Sequence, residues 1–285
     1  MDRLTVLSPA KLNLVLDVLK KRPDGFHELR TVFERISLAD RIVLIPNARG
    51  KIRIQCAHPQ VPKGPGNLAF KAAALLRKEF SVKEGVDINI IKNIPVAAGL
   101  AGGSSNAAAV LSGLNRLWHL GLGTKQLVDL ASRLGSDVAF FLYDTSFALG
   151  TGRGEVIRPL DVKTKLWQVL VTPQVKMYTA EVFARLKLKL TNKKDNVNIL
   201  LPFLRTGNIQ RLAGALSNDL EPVILSLRPD FFYLKKKLLD AGAAGVCFSG
   251  SGPSVFALAQ SQKHALSLRE KFDRRYSRVF VVSTL

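Results

Sequence analysis

The 285-residue chain has little of several things, and each shortage removes a class of protein. It has two cysteines, Cys56 and Cys247, both in apolar surroundings, which excludes a disulfide framework and reads as two core thiols. Its four histidines are scattered, and neither a Cys-x-x-Cys nor a His-Glu-x-x-His spacing occurs, so no zinc site is expected. No apolar run approaches the roughly 20 residues that span a bilayer. The opening MDRLTVLSPAKLNL lacks a signal-peptide layout, so the expectation is a cytoplasmic protein with no membrane partner. Acidic residues are also scarce: 42 Lys and Arg face 22 Asp and Glu, a net charge of +20. Such a surplus suits a nucleic-acid binder, which is the rival class. The basic residues, however, are spread along the chain, with only short clusters such as Lys235 to Lys237, and no RNA-recognition or zinc-finger signature accompanies them. The same field steers an anionic small molecule, and no nucleic-acid partner is expected.

What the chain does have is a 47% share of hydrophobic residues, enough for a substantial core in one large domain or two modest ones. Its most informative stretch runs from Ile94 to Trp118, IPVAAGLAGGSSNAAAVLSGLNRLW. Gly99, Gly102 and Gly103 let the backbone turn sharply and lie close to a ligand. Ser104 and Ser105 stand at the expected N-cap of a helix whose apolar face holds Val110, Leu111, Leu114, Leu117 and Trp118. Unpaired N–H groups and the positive end of the helix dipole then point at whatever the loop embraces, and an anion is the natural occupant. A plain turn is the other reading, since no Gly-Lys-Ser/Thr triplet closes the loop and no spaced dinucleotide fingerprint is present.

Upstream, LTVLSPAKLNLVLDVL partly alternates and reads as two short strands broken at Ser8-Pro9. Lys11 and Asn13, two residues apart, share one strand face, either a polar edge toward solvent or part of a site. Arg22 to Leu29 is a turn by its Pro-Asp-Gly core, with Phe26 and His27 just beyond it. IVLIPN and KIRIQC read as strands, Asn67 to Phe80 as an amphipathic helix, and VDINIIKNIP as the strand feeding the glycine loop. A helix over 124–133 precedes Asp137, whose carboxylate opens an apolar run and is either a cap or a charge that needs a partner. SFALGTGRGEVIRPL reads as a hairpin. The second half, from near Leu160, holds the strand KLWQVLVTP, helices over 179–190, 209–216 and 231–241, and strands VCFS and SVFALA around a glycine-serine turn from Phe248 to Ser254.

Pro95 to Leu100, followed by Ser104, Ser105 and Ala107, resembles the phosphate loop of the GHMP kinases, the family of galactokinase, homoserine kinase and mevalonate kinase. Pro9 to Leu14, Asp24 to Leu29, Gly135-Ser136-Asp137, Asn218 to Glu221 and Phe248 to Ser254 are similar to segments of one branch, which acts on 4-diphosphocytidyl-2-C-methyl-D-erythritol. The similarity runs from Pro9 to Phe256. It implies an α+β, two-domain fold with the active-site cleft between the domains, divided here as 1–160, which carries the ATP site, and 161–285. It further implies ATP-dependent phosphorylation of the 2-hydroxyl of that substrate, a step of the non-mevalonate isoprenoid precursor pathway, with Mg²⁺ accompanying ATP.

Carried over by position, Asp137 accepts the hydroxyl proton, while Lys11, held beside it, keeps that carboxylate ionised and orients the nucleophile. Pro95, Val96, Ala97, Ala98, Gly99, Leu100, Ala101, Gly102, Gly103, Ser104 and Ser105 hold the nucleotide phosphates, and Asn67 lies near the adenine pocket. Asn13, Phe26, His27 and Phe183 hold the cytidyl substrate, the two phenylalanines stacking the base with His27 at its edge. The chain departs from the pattern at Phe26, usually tyrosine, at Ala139, where proline is frequent, and at Asn106, where Asp often follows the serine pair. With no acidic residue in the loop, no protein metal ligand is assigned and the nucleotide is expected to hold the ion. A homoserine kinase remains an alternative that keeps the loop without needing Phe26-His27, and Phe183 is alternatively a core residue of its helix.

Overall fold

The computed structural model describes residues 3–187, 195–272 and 278–285. In chain order its elements are β1 (Leu4–Lys21), β2 (His27–Asn47), β3 (Ile52–Gln55), α1 (Leu68–Glu79), β4 (Gly85–Ile91), α2 (Gly102–Leu117) and α3 (Thr124–Ser132). There follow β5 (Phe147–Gly152), β6 (Val156–Leu160), β7 (Trp167–Val171), α4 (Thr179–Ala184), α5 (Asn196–Thr206), α6 (Ile209–Ala215) and β8 (Ser217–Asn218). The chain ends with α7 (Glu221–Leu227), α8 (Asp230–Asp240), β9 (Gly245–Phe248), β10 (Val255–Ala259), α9 (Gln262–Glu270) and β11 (Val279–Ser283). The α+β class expected from the sequence is what forms.

Two compact units divide these elements, with β1 and β2 contributing to both. The first takes the chain up to Ala10, then Leu38–Val96 and Ala101–Asp144. Here β4 pairs antiparallel with the C-terminal half of β2 and parallel with β3. Helix α1 forms because Asn67 caps it, its side chain accepting the Ala69 N–H at 2.9 Å, an interaction worth ~1 kcal/mol. Ala69, Ala72, Ala73 and Leu76 recur at helical spacing and are fully buried. Helix α2 carries a glycine in its middle because a Cβ on Gly113 would meet Leu44 Cδ1 at 2.5 Å and Val6 Cγ2 at 3.2 Å. The helix therefore lies closer to β1 and β2 than any other residue would allow.

The second unit comprises Lys11–Ser37, Ala97–Leu100 and Thr145–Leu285. The N-terminal part of β2 pairs antiparallel with β5, which forms the expected hairpin with β6, and β8 pairs parallel with β1 at Val15 and Leu16. A four-stranded sheet of order β11-β7-β10-β9 packs the apolar core, in which Leu16, Val169, Val182, Ile224, Phe231, Leu234 and Phe248 meet.

Three expectations need correcting. The break at Ser8-Pro9 does not occur: β1 is one strand, because Pro9 lies where β8 does not reach and a missing N–H is tolerated at an unpaired edge. Strand β2 starts 15 residues before IVLIPN, at His27. Helices α5, α7 and α9 went unforeseen, and the expected helix over 179–190 is described only as α4, its last residues from 188 onward lying outside the described residues.

Glu34 of β2 is fully buried, with only neutral partners: Gln168 Nε2 donates to both carboxyl oxygens at 2.8 Å and the Thr284 hydroxyl donates to Oε1 at 2.6 Å. Burial pushes its pKa from 4.5 up to about 7 against those hydrogen bonds. The folded state therefore holds a proton that the unfolded chain releases above pH 4.5, so stability is lost as pH rises toward 7, by up to roughly 3 kcal/mol. Gln168 Oε1, in turn, has no hydrogen-bond partner among the described residues. Glu34→Gln carries no titrating carboxyl at this position and should abolish this slope. Urea melts at pH 5 and pH 8 check it; equal slopes in the two proteins would show that Glu34 does not titrate there.

Candidate active site

The glycine loop runs into α2 differently from the sequence expectation. The N-cap is Ala101, in the left-handed conformation (φ 53°, ψ 27°), with no side-chain cap. Ser104 and Ser105 lie inside the first helical turns, not at the cap. Ser105 is buried and accepts a hydrogen bond from the Ser8 hydroxyl at 2.8 Å. The first-turn N–H groups are thus left to a ligand or water, at the positive end of a 16-residue helix. Gly102 and Gly103 are already helical. The left-handed residues are Ala97, Gly99 and Ala101, with φ of 54°, 74° and 53°. An alanine held there costs ~1–2 kcal/mol, and strain of this kind persists where the surroundings impose it, typically at ligand sites.

Asn106 is 4% exposed and donates to Ser8 Oγ at 2.8 Å and Asp40 Oδ2 at 2.9 Å, so it faces the interior. Asp137 sits half-buried in the turn after α3, just before a short 3-10 turn at Ala139–Leu142 whose Ala139 and Phe140 are buried. Among the described residues no three His, Cys, Asp or Glu side chains group to hold a metal ion.

In the second unit, Lys11 and Asn13 do share a face, but not one toward solvent: they are 4% and 1% exposed. The Lys11 ammonium donates to Asn13 Oδ1 and stands 5.3 Å from the Phe33 ring centroid. Asn13 Nδ2 donates to Thr31 Oγ1 at 2.8 Å, and that hydroxyl donates to the Val15 carbonyl, which fixes the amide with its oxygen toward the lysine. The loop meets this pair through backbone. Lys11 N donates to the Leu100 carbonyl at 3.2 Å, and Ser249 Oγ donates to the Gly99 carbonyl at 2.9 Å. A Cβ on Gly99 would lie 2.3 Å from the Ser249 carbonyl oxygen and 2.9 Å from that of Gly252. One on Gly250 would lie 3.5 Å from Asn13 Oδ1 and 3.6 Å from Lys11 Nζ.

The turn from Phe248 to Ser254 is itself pinned. Asn218 Nδ2 donates to the carbonyls of Phe248 at 3.0 Å and Gly250 at 2.8 Å, while Asp219 Oδ2 accepts the Val18 N–H at 2.7 Å. Ser251 Oγ and Thr179 Oγ1 are 2.8 Å apart, joining the turn to the start of α4.

Helix α4 carries Phe183, whose ring centroid lies 5.1 Å from that of His27, tilted by 31°. Burial, with a smaller contribution from Lys21, lowers the His27 pKa, so the ring is neutral at pH 7 and offers one donor and one acceptor. Phe26 is 53% exposed, and the Arg153 guanidinium lies 4.8 Å over its ring. The turn holding Phe26 is fixed by Arg22, which reaches Asp24 and Glu28 at 3.0 and 2.8 Å.

Sequence reasoning missed Thr31, Arg153 and the strained alanines, and gave Asn218 and Ser249 no role. The Asn218–Glu221 and Phe248–Ser254 segments were visible as motifs. Nothing local marked Thr31, whose part depends on β2 lying beside β1.

The GHMP kinases N terminal domain matches residues 67–145, and the GHMP kinases C terminal domain matches 200–278. The 4-diphosphocytidyl-2-C-methyl-D-erythritol kinase of Geobacillus thermodenitrificans (strain NG80-2) is 46% identical over 259 residues, 90% of this chain and 89% of that protein. The protein of the same name from Exiguobacterium sibiricum is 42% identical over 280 residues, 98% and 97% of the two chains. A crystal structure of 4-(cytidine 5'-diphospho)-2C-methyl-D-erythritol kinase superposes with a TM-score of 0.85 at 33% identity over 98% of each chain. Homoserine kinase from Cytophaga hutchinsonii superposes at 0.80 with 22% identity, over 100% of this chain and 95% of that one, which speaks for the fold alone. Both domains matched in order, with relatives at 46% and 42% identity, establish that the chain belongs to the GHMP kinase family and is an ATP-using enzyme.

Proposed function

We propose that the chain transfers the γ-phosphoryl of ATP to the 2-hydroxyl of 4-diphosphocytidyl-2-C-methyl-D-erythritol. The observation that carries this choice of substrate within the family is the Arg22–Leu29 turn, which sets His27 against Phe183, in a chain 46% identical to a relative of that name. A homoserine kinase has no use for that pair. The 5.1 Å between the two rings leaves no room for a base between them. In line with the family resemblance, His27 is proposed at the edge of the cytosine, with Phe26 and Phe183 at its faces. The division of the two family domains is proposed near Leu160, between the two matched segments.

In this reading Asp137 accepts the hydroxyl proton, and Lys11 orients that hydroxyl and keeps the carboxylate charged. Asn13, fixed by Thr31, holds the Lys11 ammonium in place and contributes to substrate binding. The backbone N–H groups of Pro95–Ser105 and the start of α2 hold the β- and γ-phosphates. Mg²⁺ accompanies ATP with the phosphates as its main ligands, and when bound it neutralises charge on the transferring group. Asn106, turned inward to Ser8 and Asp40, is not proposed as a ligand.

Three variants test the assignment, read by ADP release with the cytidyl substrate, with homoserine and with neither, beside a salt-dependent RNA-binding control. Asp137→Asn should lose ~10²- to 10⁴-fold in kcat with both ligands still bound by calorimetry; more than a tenth of wild-type kcat would remove Asp137 as the base. Gly99→Ala should raise the ATP KM at least tenfold, because the atoms its Cβ meets are backbone carbonyls that no rotamer change relieves. An unchanged ATP KM in the folded variant would take the loop out of the site. Phe183→Ala should raise the KM for the cytidyl substrate alone, and His27→Ala should also narrow its preference over a uridyl analogue. Stacking is indifferent to base identity, so that preference must come from edge hydrogen bonds; full discrimination by His27→Ala would refute the edge role.

A further inference from the structure

Asp40, in β2, plays no part in the reaction as proposed, yet it is 0% exposed and its two oxygens take four donors. Oδ1 accepts the backbone N–H groups of Asn93 at 2.7 Å and Ile94 at 2.8 Å. Oδ2 accepts the Lys92 ammonium and, at 2.9 Å, Nδ2 of Asn106. These donors stand at the two ends of one segment. Residues 92–94 lead directly into Pro95, and Asn106 lies in the second turn of α2. A Cβ on Gly102 would come within 2.9 Å of Lys92 Nζ, so the ammonium lies against the first residue of that helix. One carboxylate therefore ties the strand end before the loop to the helix start after it. Between these anchors the chain holds Ala97 and Ala101 left-handed, a strain that survives only where its surroundings impose it.

We infer that Asp40 is the positioning residue of the phosphate loop: by fixing both ends it holds the strained conformation whose N–H groups receive the nucleotide, and so it sets the affinity for ATP. The inference rests on the reading of Pro95–Ser105 as the ATP site. It also accounts for Asn106. An aspartate there, with Asp40 retained, would set two carboxylates face to face in a buried place, with the Lys92 ammonium already paired to Asp40. The amide instead supplies the donor that Oδ2 takes.

Steady-state kinetics with ATP and the cytidyl substrate varied in turn, on the full chain, test this. Asp40→Asn keeps the shape and an oxygen for the two backbone N–H groups but turns an amide toward Lys92 and Asn106. It should raise the ATP KM at least tenfold while leaving the cytidyl KM within twofold. Asn106→Asp keeps Asp40 and all its backbone bonds, and should raise the ATP KM about fivefold by like-charge contact, so the test stands even if Asp40→Asn folds poorly. The exchange variant carrying both changes restores one carboxylate and one amide beside Lys92 and should recover most of the ATP KM, a non-additivity that separate structural damage would not produce. Lowered melting temperatures with an unmoved ATP KM would make Asp40 merely structural and overturn the inference. If Gly99→Ala also left the ATP KM alone, the reading of the loop itself would fall; if Gly99→Ala raised it and Asp40→Asn and Asn106→Asp did not, only the role of Asp40 would.

Discussion

Gly99 lies so close to the carbonyl oxygens of Ser249 and Gly252 that its lack of a side chain is a condition of the second unit's packing. A carbonyl cannot rotate away as the tip of a lysine can, so the contact admits no residue with a Cβ. Much follows from it. The Gly99 carbonyl receives Ser249 Oγ, the next carbonyl receives Lys11 N, and the turn that presses on the glycine also faces Lys11 and Asn13. The residues most separated in sequence, from β1, the loop and the turn after β9, are set by backbone contact, which fixes positions more tightly than side-chain packing does.

The polar groups of the second unit form chains in which each member settles the orientation of the next. Lys11 leads to Asn13, Thr31 and the Val15 carbonyl, and Asn218 leads to the turn through Phe248 and Gly250. A buried amide has two donors and an acceptor to satisfy, and each one met locks its rotation. The ammonium of Lys11, nearly out of water, is held by such a chain and by the face of Phe33. Preorganisation of this sort is what phosphoryl transfer asks of a protein, since the protein mainly positions groups and stabilises charge.

What could be read in the sequence was whatever depended on local chemistry. Helix α1 was legible because Asn67 caps it and its alanines and leucine recur at helical spacing. The hairpin of β5 and β6 and the turn between β9 and β10 were legible through their glycines. The break at Pro9 was misread because proline's missing donor matters only where a neighbouring strand wants it, and that is a tertiary fact. The serines at 104 and 105 were taken for caps because an alanine in the left-handed region has no signature of its own: Ala101 does what glycine or asparagine would announce. Asp40 gave no sign either. In SLADRIVL it looks like a polar residue of an alternating strand, and its four donors come from positions 92 to 106.

The bond from Lys11 N to the Leu100 carbonyl also bears on association between molecules. Among the described residues strand β1 pairs with β8 at Val15 and Leu16, and an edge that a neighbouring strand leaves uncovered is a template for any extended chain that drifts near. The glycine loop takes that place at Lys11. The loop before α2 thus also covers part of a strand edge, and a change that freed it would uncover a template for edge-to-edge pairing.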